Sequence, residues 1–378
     1  MQFSIWEKEG FFQQQDLIII GSGLVGLWSA ILLKDRYPNI KVTIVERGII
    51  PSGASGRNAG FACFGSVSEL IADAEKMGTD KMWDLVEMRY KGLRKLTQRF
   101  PVPSIGFESE GGYEVFSDNQ LALAEKCMEA IDELNKGMKS ITGEDHAFRL
   151  NNPRLSEFGF AGFCHLIENR LEAQLHSGKL LQTLIRTAVS AGVQILTGTK
   201  ITEIIPSGQS VELRASEFTL RATKVLVCTN GFAKELIPDL DVVPARGQVL
   251  VTSPIDGLPF KGCFHYDEGF YYFRNLGNRV LLGGGRNLAF KAETTTEMVT
   301  SSLIQENLEH LLRTNILPSR TFTVEHRWSG IMGMSEHSGK LPIIRDLGDG
   351  VYCCVRMSGM GVALAPEVAV RVTNLLAF

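Results

Sequence analysis

No stretch of this chain is apolar for anything near the roughly 18 consecutive residues that a membrane span requires. Residues Met1 to Gly10 lack the basic start and apolar core of a secretion signal. Neither sign of charge is in excess. Lys and Arg number 39 against 42 Asp and Glu, a net of −3, which excludes the basic footprint of a nucleic-acid or anionic-membrane binder. The seven cysteines (Cys63, Cys127, Cys164, Cys228, Cys263, Cys353, Cys354) form no C-x-x-C, and the seven histidines show neither H-x-H nor H-x-x-x-H spacing. Neither disulfides nor a metal site are expected. Thiols in apolar runs such as Val225-Leu226-Val227-Cys228 suit a reducing compartment, so a cytoplasmic location is expected. Internal repeats and low-complexity runs are missing as well.

What is there is an ordinary globular composition, 44% apolar and 21% charged over 378 residues, enough for two domains with cores. The most informative stretch is Asp16-Leu17-Ile18-Ile19-Ile20-Gly21-Ser22-Gly23-Leu24-Val25-Gly26. An apolar run too short for a helix reads as a buried parallel strand. Gly21, Gly23 and Gly26 fit G-x-G-x-x-G and lead into a helical pattern, Leu27 to Leu33. The first glycine permits the turn, the second lets backbone approach a pyrophosphate, and the third lets helix and strand pack closely. A second strand, Lys41 to Glu46, ends on a carboxylate where the motif needs one for ribose hydroxyls. The chain is expected to bind a dinucleotide.

The next segment, Gly53-Ala54-Ser55-Gly56-Arg57-Asn58-Ala59-Gly60, is too small and flexible for a core element and reads as a loop whose backbone lies against a flat ligand. Helical spacing runs through 66–99 with a break at Gly78-Thr79-Asp80, and again from Asp118 and from Leu175 to Ala191. Val225 to Cys228 repeats the buried-strand pattern and runs into Thr229-Asn230-Gly231. Residues 241–325 are strand-rich, with a helix expected near 296–312. Within them Tyr271 and Tyr272 must point to opposite faces. Near the end, Val351 to Val355 is a strand followed by Ser358-Gly359-Met360-Gly361-Val362 and a helix, a second glycine turn with a helix dipole behind it.

Together these segments resemble the FAD-dependent D-amino-acid oxidase superfamily, which includes sarcosine, glycine and γ-glutamylputrescine oxidases. The resemblance rests on the order of the three glycine segments with Thr229-Asn230-Gly231-Phe232, Val243-Pro244-Ala245-Arg246-Gly247-Gln248 and His326-Arg327-Trp328-Ser329-Gly330. It implies an α/β fold in which a Rossmann-type FAD-binding domain (1–75, 151–240 and 326–378) is interleaved with an antiparallel-sheet substrate domain (76–150 and 241–325). It implies FAD contacts from Gly21, Ser22, Gly23, Val25, Gly26, Glu46, Arg47, Ala54, Ser55, Arg57, Asn58, Ala59, Ile201, Thr229, Asn230, Gly231, Gly330, Gly359, Met360, Gly361 and Val362. The cysteine that attaches flavin in monomeric sarcosine oxidase would fall near Ile331 or Met332, where there is none, so the FAD is expected to be noncovalent.

The expected activity is oxidation of the C–N bond of a small amine or amino acid by hydride transfer to flavin N5, giving an imine, with dioxygen or another acceptor taking the electrons. The flavin supplies the chemistry, which accords with the lack of paired carboxylates. Tyr271, Arg327 and Lys340 are the candidate catalytic or substrate-binding groups. Two alternatives stay open: an FAD-dependent 2-hydroxy-acid dehydrogenase, and a flavoprotein subunit of a larger complex.

Overall fold

The computed structural model describes residues 2–337 and 339–378. Two eight-stranded sheets organise them. In the first, Ile343–Asp346, Val351–Val355, Thr219–Val227, Gln15–Ile20, Val42–Val45 and Gln194–Leu196 lie side by side in that order. All neighbours are parallel except the outermost pair, Ile343–Asp346 with Val351–Val355. Ile201–Ser207 and Ser210–Ala215 extend it as an antiparallel meander from Thr219–Val227.

The central strand explains its own composition. Leu17 and Ile19 pack with helices Leu24–Arg36, Ser177–Ser190 and Gly361–Leu375, whereas Ile18 and Ile20 pack with the meander residues Val211 and Leu213. A strand covered on both faces has no polar alternation, which is why it reads as a continuous apolar run.

The second sheet runs Val324–Met334, Val243–Thr252, Arg279–Gly284, Tyr271–Leu276, Cys263–Tyr266, Gly112–Ser117, Phe163–Asn169 and Phe148–Leu150. It is antiparallel but for the pair Cys263–Tyr266 with Gly112–Ser117. Its outer face is covered by helix Ser302–Leu311 over a phenylalanine cluster in which Phe264 and Phe273 stack at 4.6 Å. Its inner face carries Val249, Val251, Leu281, Tyr272 and Trp328 and packs against Ala59 and Phe61 of the glycine-rich loop.

The sheets cut the chain at other points than those expected. Phe163–Asn169 and Val324–Met334, assigned from sequence largely to the nucleotide domain, are strands of the second sheet. Helix Thr79–Arg99, assigned to the substrate domain, crosses helix Gly361–Leu375 of the first layer. Gly92 permits that crossing, because a Cβ there would lie 1.9 Å from the Ala363 carbonyl oxygen. Apolar spacing reveals that a helix has a buried face and is silent on what buries it. The late helix is also shorter than its pattern, Ser302–Leu311, since Thr294 to Ser301 wraps as a loop around Arg246 and Gln248.

Candidate active site

The carboxyl ends of Gln15–Ile20, Val42–Val45, Gln194–Leu196 and Thr219–Val227 meet on one side of the first sheet, where such folds hold ligands. A cleft of about 780 Å³, partly open to solvent, lies there. Nine of the expected contacts line it: Gly21, Gly23, Glu46, Arg47, Ala54, Ser55, Ile201, Thr229 and Asn230. Gly21 takes φ +108°, a turn that side chains resist. Ser22 lies beneath the rim and fixes Glu46, whose Oε2 accepts from Ser22 Oγ at 2.7 Å and from Ser22 N at 3.1 Å. The other oxygen, Oε1, accepts from Gly48 N at 2.9 Å. Arg47 closes the far wall by stacking its guanidinium 3.6 Å from the Phe232 ring centre.

Three features of this cleft fit an extended anionic cofactor. At the helix that begins at Leu24, Ser55 Oγ accepts from Leu24 N at 2.9 Å, while the first-turn N–H groups at Val25 and Gly26 take no side chain among the described residues and remain for a ligand. The Thr229 hydroxyl is buried without a partner among the described residues. Gly23 leaves space that a side chain would take, since a Cβ there would come within 2.8 Å of Ser55 Oγ.

Other expected contacts, and Asn230 among the nine, are also tied into the protein itself. Asn58 donates Nδ2 to Ser55 O at 2.7 Å and accepts at Oδ1 from Ser177 Oγ at 2.7 Å, which folds the loop on itself and leaves Ala59 in the sheet contact. Arg57 donates to Ser52 O at 3.1 Å and to Ser329 O at 2.9 Å, tying the loop to the second sheet. Gly330 meets it there, because a Cβ at Gly330 would be 3.0 Å from Arg57 Cβ. Asn230 Oδ1 accepts from Arg356 N at 3.0 Å and Met357 N at 3.3 Å, so this amide joins two turns. Gly231 abuts the Met332 carbonyl, and Gly359 faces Met332 Sδ. Met360 is the N-cap of helix Gly361–Leu375, which lacks a capping side chain, and Gly361 and Val362 form its first turn.

The catalytic candidates separate sharply. Tyr271 points to the outer face and donates to Asn307 Oδ1 at 2.8 Å under the covering helix. Arg327 also points outward, donating to Gln305 Oε1 at 2.8 Å and Glu309 Oε2 at 2.6 Å. Both expectations are corrected here: strand alternation gives two faces but not which one turns inward. The inward residues at those places are Tyr272 and Trp328. Burial lifts the Tyr272 phenol to about 12, so it stays a neutral donor, and it has no hydrogen-bond partner among the described residues. Lys340 is held by Glu69 at 2.9 Å and Asp73 at 2.7 Å. Burial would raise Glu69, but Lys340 and Arg89 outweigh it and bring its pKa down to about 2.

Sequence reasoning missed Thr199 and Lys200 on the cleft wall. Their signal was available. Val193 to Leu196 reads as a strand, and residues just beyond the carboxyl end of a parallel strand face the ligand crevice.

Comparison with known proteins agrees with this geometry. The family model described as FAD dependent oxidoreductase, DAO, matches residues 16–375. A probable oxidoreductase OrdL of Rhizobium meliloti (strain 1021) is 27% identical over 365 residues, covering 93% of this chain and 81% of the relative. Among solved structures, glycine oxidase from Bacillus cereus ATCC 14579 superposes with TM-score 0.76 at 19% identity, covering 96% of this chain and 94% of that one. L-proline dehydrogenase from P. horikoshii gives TM-score 0.76 at 15% identity, with 97% and 94% covered. A cradle of two helix termini beside the ends of a parallel sheet, with the family model matching residues 16–375, makes this chain a member of the DAO family of FAD-dependent oxidoreductases.

Proposed function

We propose that the protein oxidises the C–N bond of a small amine or amino acid, and that the observation carrying this reading is the inner face of the second sheet. There Phe61, Tyr272 and Trp328 form an aromatic wall beside Met332, which touches the Gly359 turn. Such a wall suits an uncharged amine nitrogen and its alkyl groups. Glycine, proline and related amines in the names of the solved neighbours support the choice of substrates to test.

FAD would be held at its phosphates by the first turn of helix Leu24–Arg36 and Thr229, at its ribose by Glu46, and at its ring edge by the first turn of helix Gly361–Leu375. When bound, it supplies the two-electron acceptor. The chain's own residues then orient and exclude water. Tyr272 offers a neutral hydroxyl that donates to a substrate heteroatom, Phe61 and Trp328 exclude solvent, and Arg57 locks the loop against the sheet. The amine enters as the free base, because hydride transfer from its α-carbon draws on the nitrogen lone pair.

The test is anaerobic mixing of the yellow holoenzyme with a panel of primary and secondary amines, amino acids and 2-hydroxy acids, followed by air. Bleaching of the flavin by amines or amino acids supports the proposal. Bleaching by 2-hydroxy acids alone, or by none of the panel, sinks it. Rapid recolouring in air identifies dioxygen as acceptor, and persistent bleaching points to another carrier.

A further inference from the structure

Behind Phe61 the inner face holds a cluster that the flavin chemistry does not use. Cys63, Glu172 and His265 are 0%, 2% and 7% exposed. One donor atom from each lies within 4.8 Å of both others. Glu172 is aimed by its neighbours. Its Oε1 accepts from Phe64 N at 3.0 Å and Gly65 N at 3.2 Å, while Oε2 stands 3.6 Å from His265 Nε2. That imidazole nitrogen is buried and has no hydrogen bond among the described residues. A small cavity beside them is lined by Glu172 and His265 together with Ser66, Glu114 and Asn169. Cys263 shares the inner face with His265, and its thiol donates to the Ala173 carbonyl at 3.3 Å, the carbonyl that Cys63 approaches at 3.8 Å.

We propose that Cys63, Glu172 and His265 form a buried site for a thiophilic divalent metal ion, zinc foremost. One sulfur, one imidazole and one carboxylate within reach of a single point are donors that zinc takes. The two N–H groups that hold Glu172 Oε1 are the outer partners such ligands need. The exchange is one of protons for metal: the ion enters as the Cys63 thiol gives up its proton and His265 presents an unprotonated nitrogen, and no oxidation is involved. The site would clamp the loop strand Phe61–Ala62 and its partner Ala173–Gln174 onto the second sheet. The expectation of no metal rested on local spacing, which Cys63, Glu172 and His265 do not share.

The experiment is elemental analysis of untagged holoenzyme from zinc-supplemented medium, with X-ray absorption at the zinc edge. About one zinc per chain is expected, with sulfur at about 2.3 Å and nitrogen or oxygen near 2.0 Å. Cys63→Ser and Glu172→Gln should each lower metal content by about tenfold or more, as losses at ligand and outer positions do. Cys127→Ser, a buried cysteine elsewhere, should leave it unchanged. Bound FAD reports folding in every variant. A wild-type protein that is yellow but metal-free overturns the proposal, as does an absorption spectrum without sulfur. Should the variants emerge colourless and unfolded, the wild-type spectrum alone decides.

Discussion

Asn230 offers the sharpest test of how the cofactor cradle is held. Its backbone sits at φ 47°, and its carboxamide oxygen accepts two backbone N–H groups from the turn at Arg356 and Met357, itself strained at Arg356 (φ 65°) and Ser358 (φ 47°). Asn230→Ala removes both bonds and leaves a Cβ in the left-handed region. Each part-buried N–H left without its acceptor costs about 1 kcal/mol. The backbone adds about 1 kcal/mol, for a total near 3. Asn230→Gly loses the same two bonds but tolerates the φ, so it should cost about 2 kcal/mol. The difference between the two variants therefore isolates the strain. Asn230→Asp keeps both the acceptor and the tolerance for left-handed backbone, so apoprotein stability should stay within about 0.5 kcal/mol of wild type. FAD retention by that variant should nevertheless fall, because a negative charge has been placed on the wall of an anion cradle. Urea denaturation of apoprotein and fluorescence titration with FAD measure the two effects. Glycine no better than alanine, or both indistinguishable from wild type, would refute the reasoning.

The two adjacent tyrosines should part company. Tyr271→Phe loses the bond to Asn307 and about 1 kcal/mol of stability with turnover unchanged, whereas Tyr272→Phe alters kcat/KM with little change in denaturation midpoint. Gly26→Ala would set a Cβ 2.1 Å from the Gly21 carbonyl oxygen, a backbone clash that cannot relax locally, so the variant should purify without its yellow colour. The acid limb of stability should report Glu69. Its folded pKa of about 2 lies below the ordinary 4.5, so its contribution is present above pH 4.5 and is lost as pH falls toward 2. The shift amounts to roughly 3 kcal/mol at most. Asp73 offsets part of it, because burial and Glu69 raise its pKa. Lys340→Met should move that limb to higher pH, as read from unfolding midpoints between pH 2 and 6.

The nucleotide half was legible because its signals are local. Gly21 to Gly26 and the strands on either side lie within one βαβ unit, and backbone geometry alone demands those glycines. Glu46 was found by its distance along the chain from the turn. The substrate half resisted for a different reason. Whether Tyr271 or Tyr272 faces inward depends on which side helix Ser302–Leu311 covers, a choice made by packing rather than by spacing. Arg57 and Asn58 were read rightly as polar loop residues, but a donor in a sequence does not disclose its acceptor. They bond to Ser329 and Ser177, which no motif brings near. Cys63, Glu172 and His265 come together only through three strands and a loop that the topology assembles.

The winding of the first sheet has a further consequence for how the molecule comes into being. Gln15–Ile20 is made early, yet its neighbour Thr219–Val227, the strand Val351–Val355 beyond it and the helix Gly361–Leu375 that covers Leu17 and Ile19 are made far later. At about 5–20 residues per second, the ribosome takes on the order of half a minute to deliver them. Through that interval the apolar core strand has no finished sheet to enter, and the cradle for FAD has only one of its two helix termini. The nascent chain therefore leaves that strand uncovered until the late elements arrive, and the cradle is complete only once helix Gly361–Leu375 has been made.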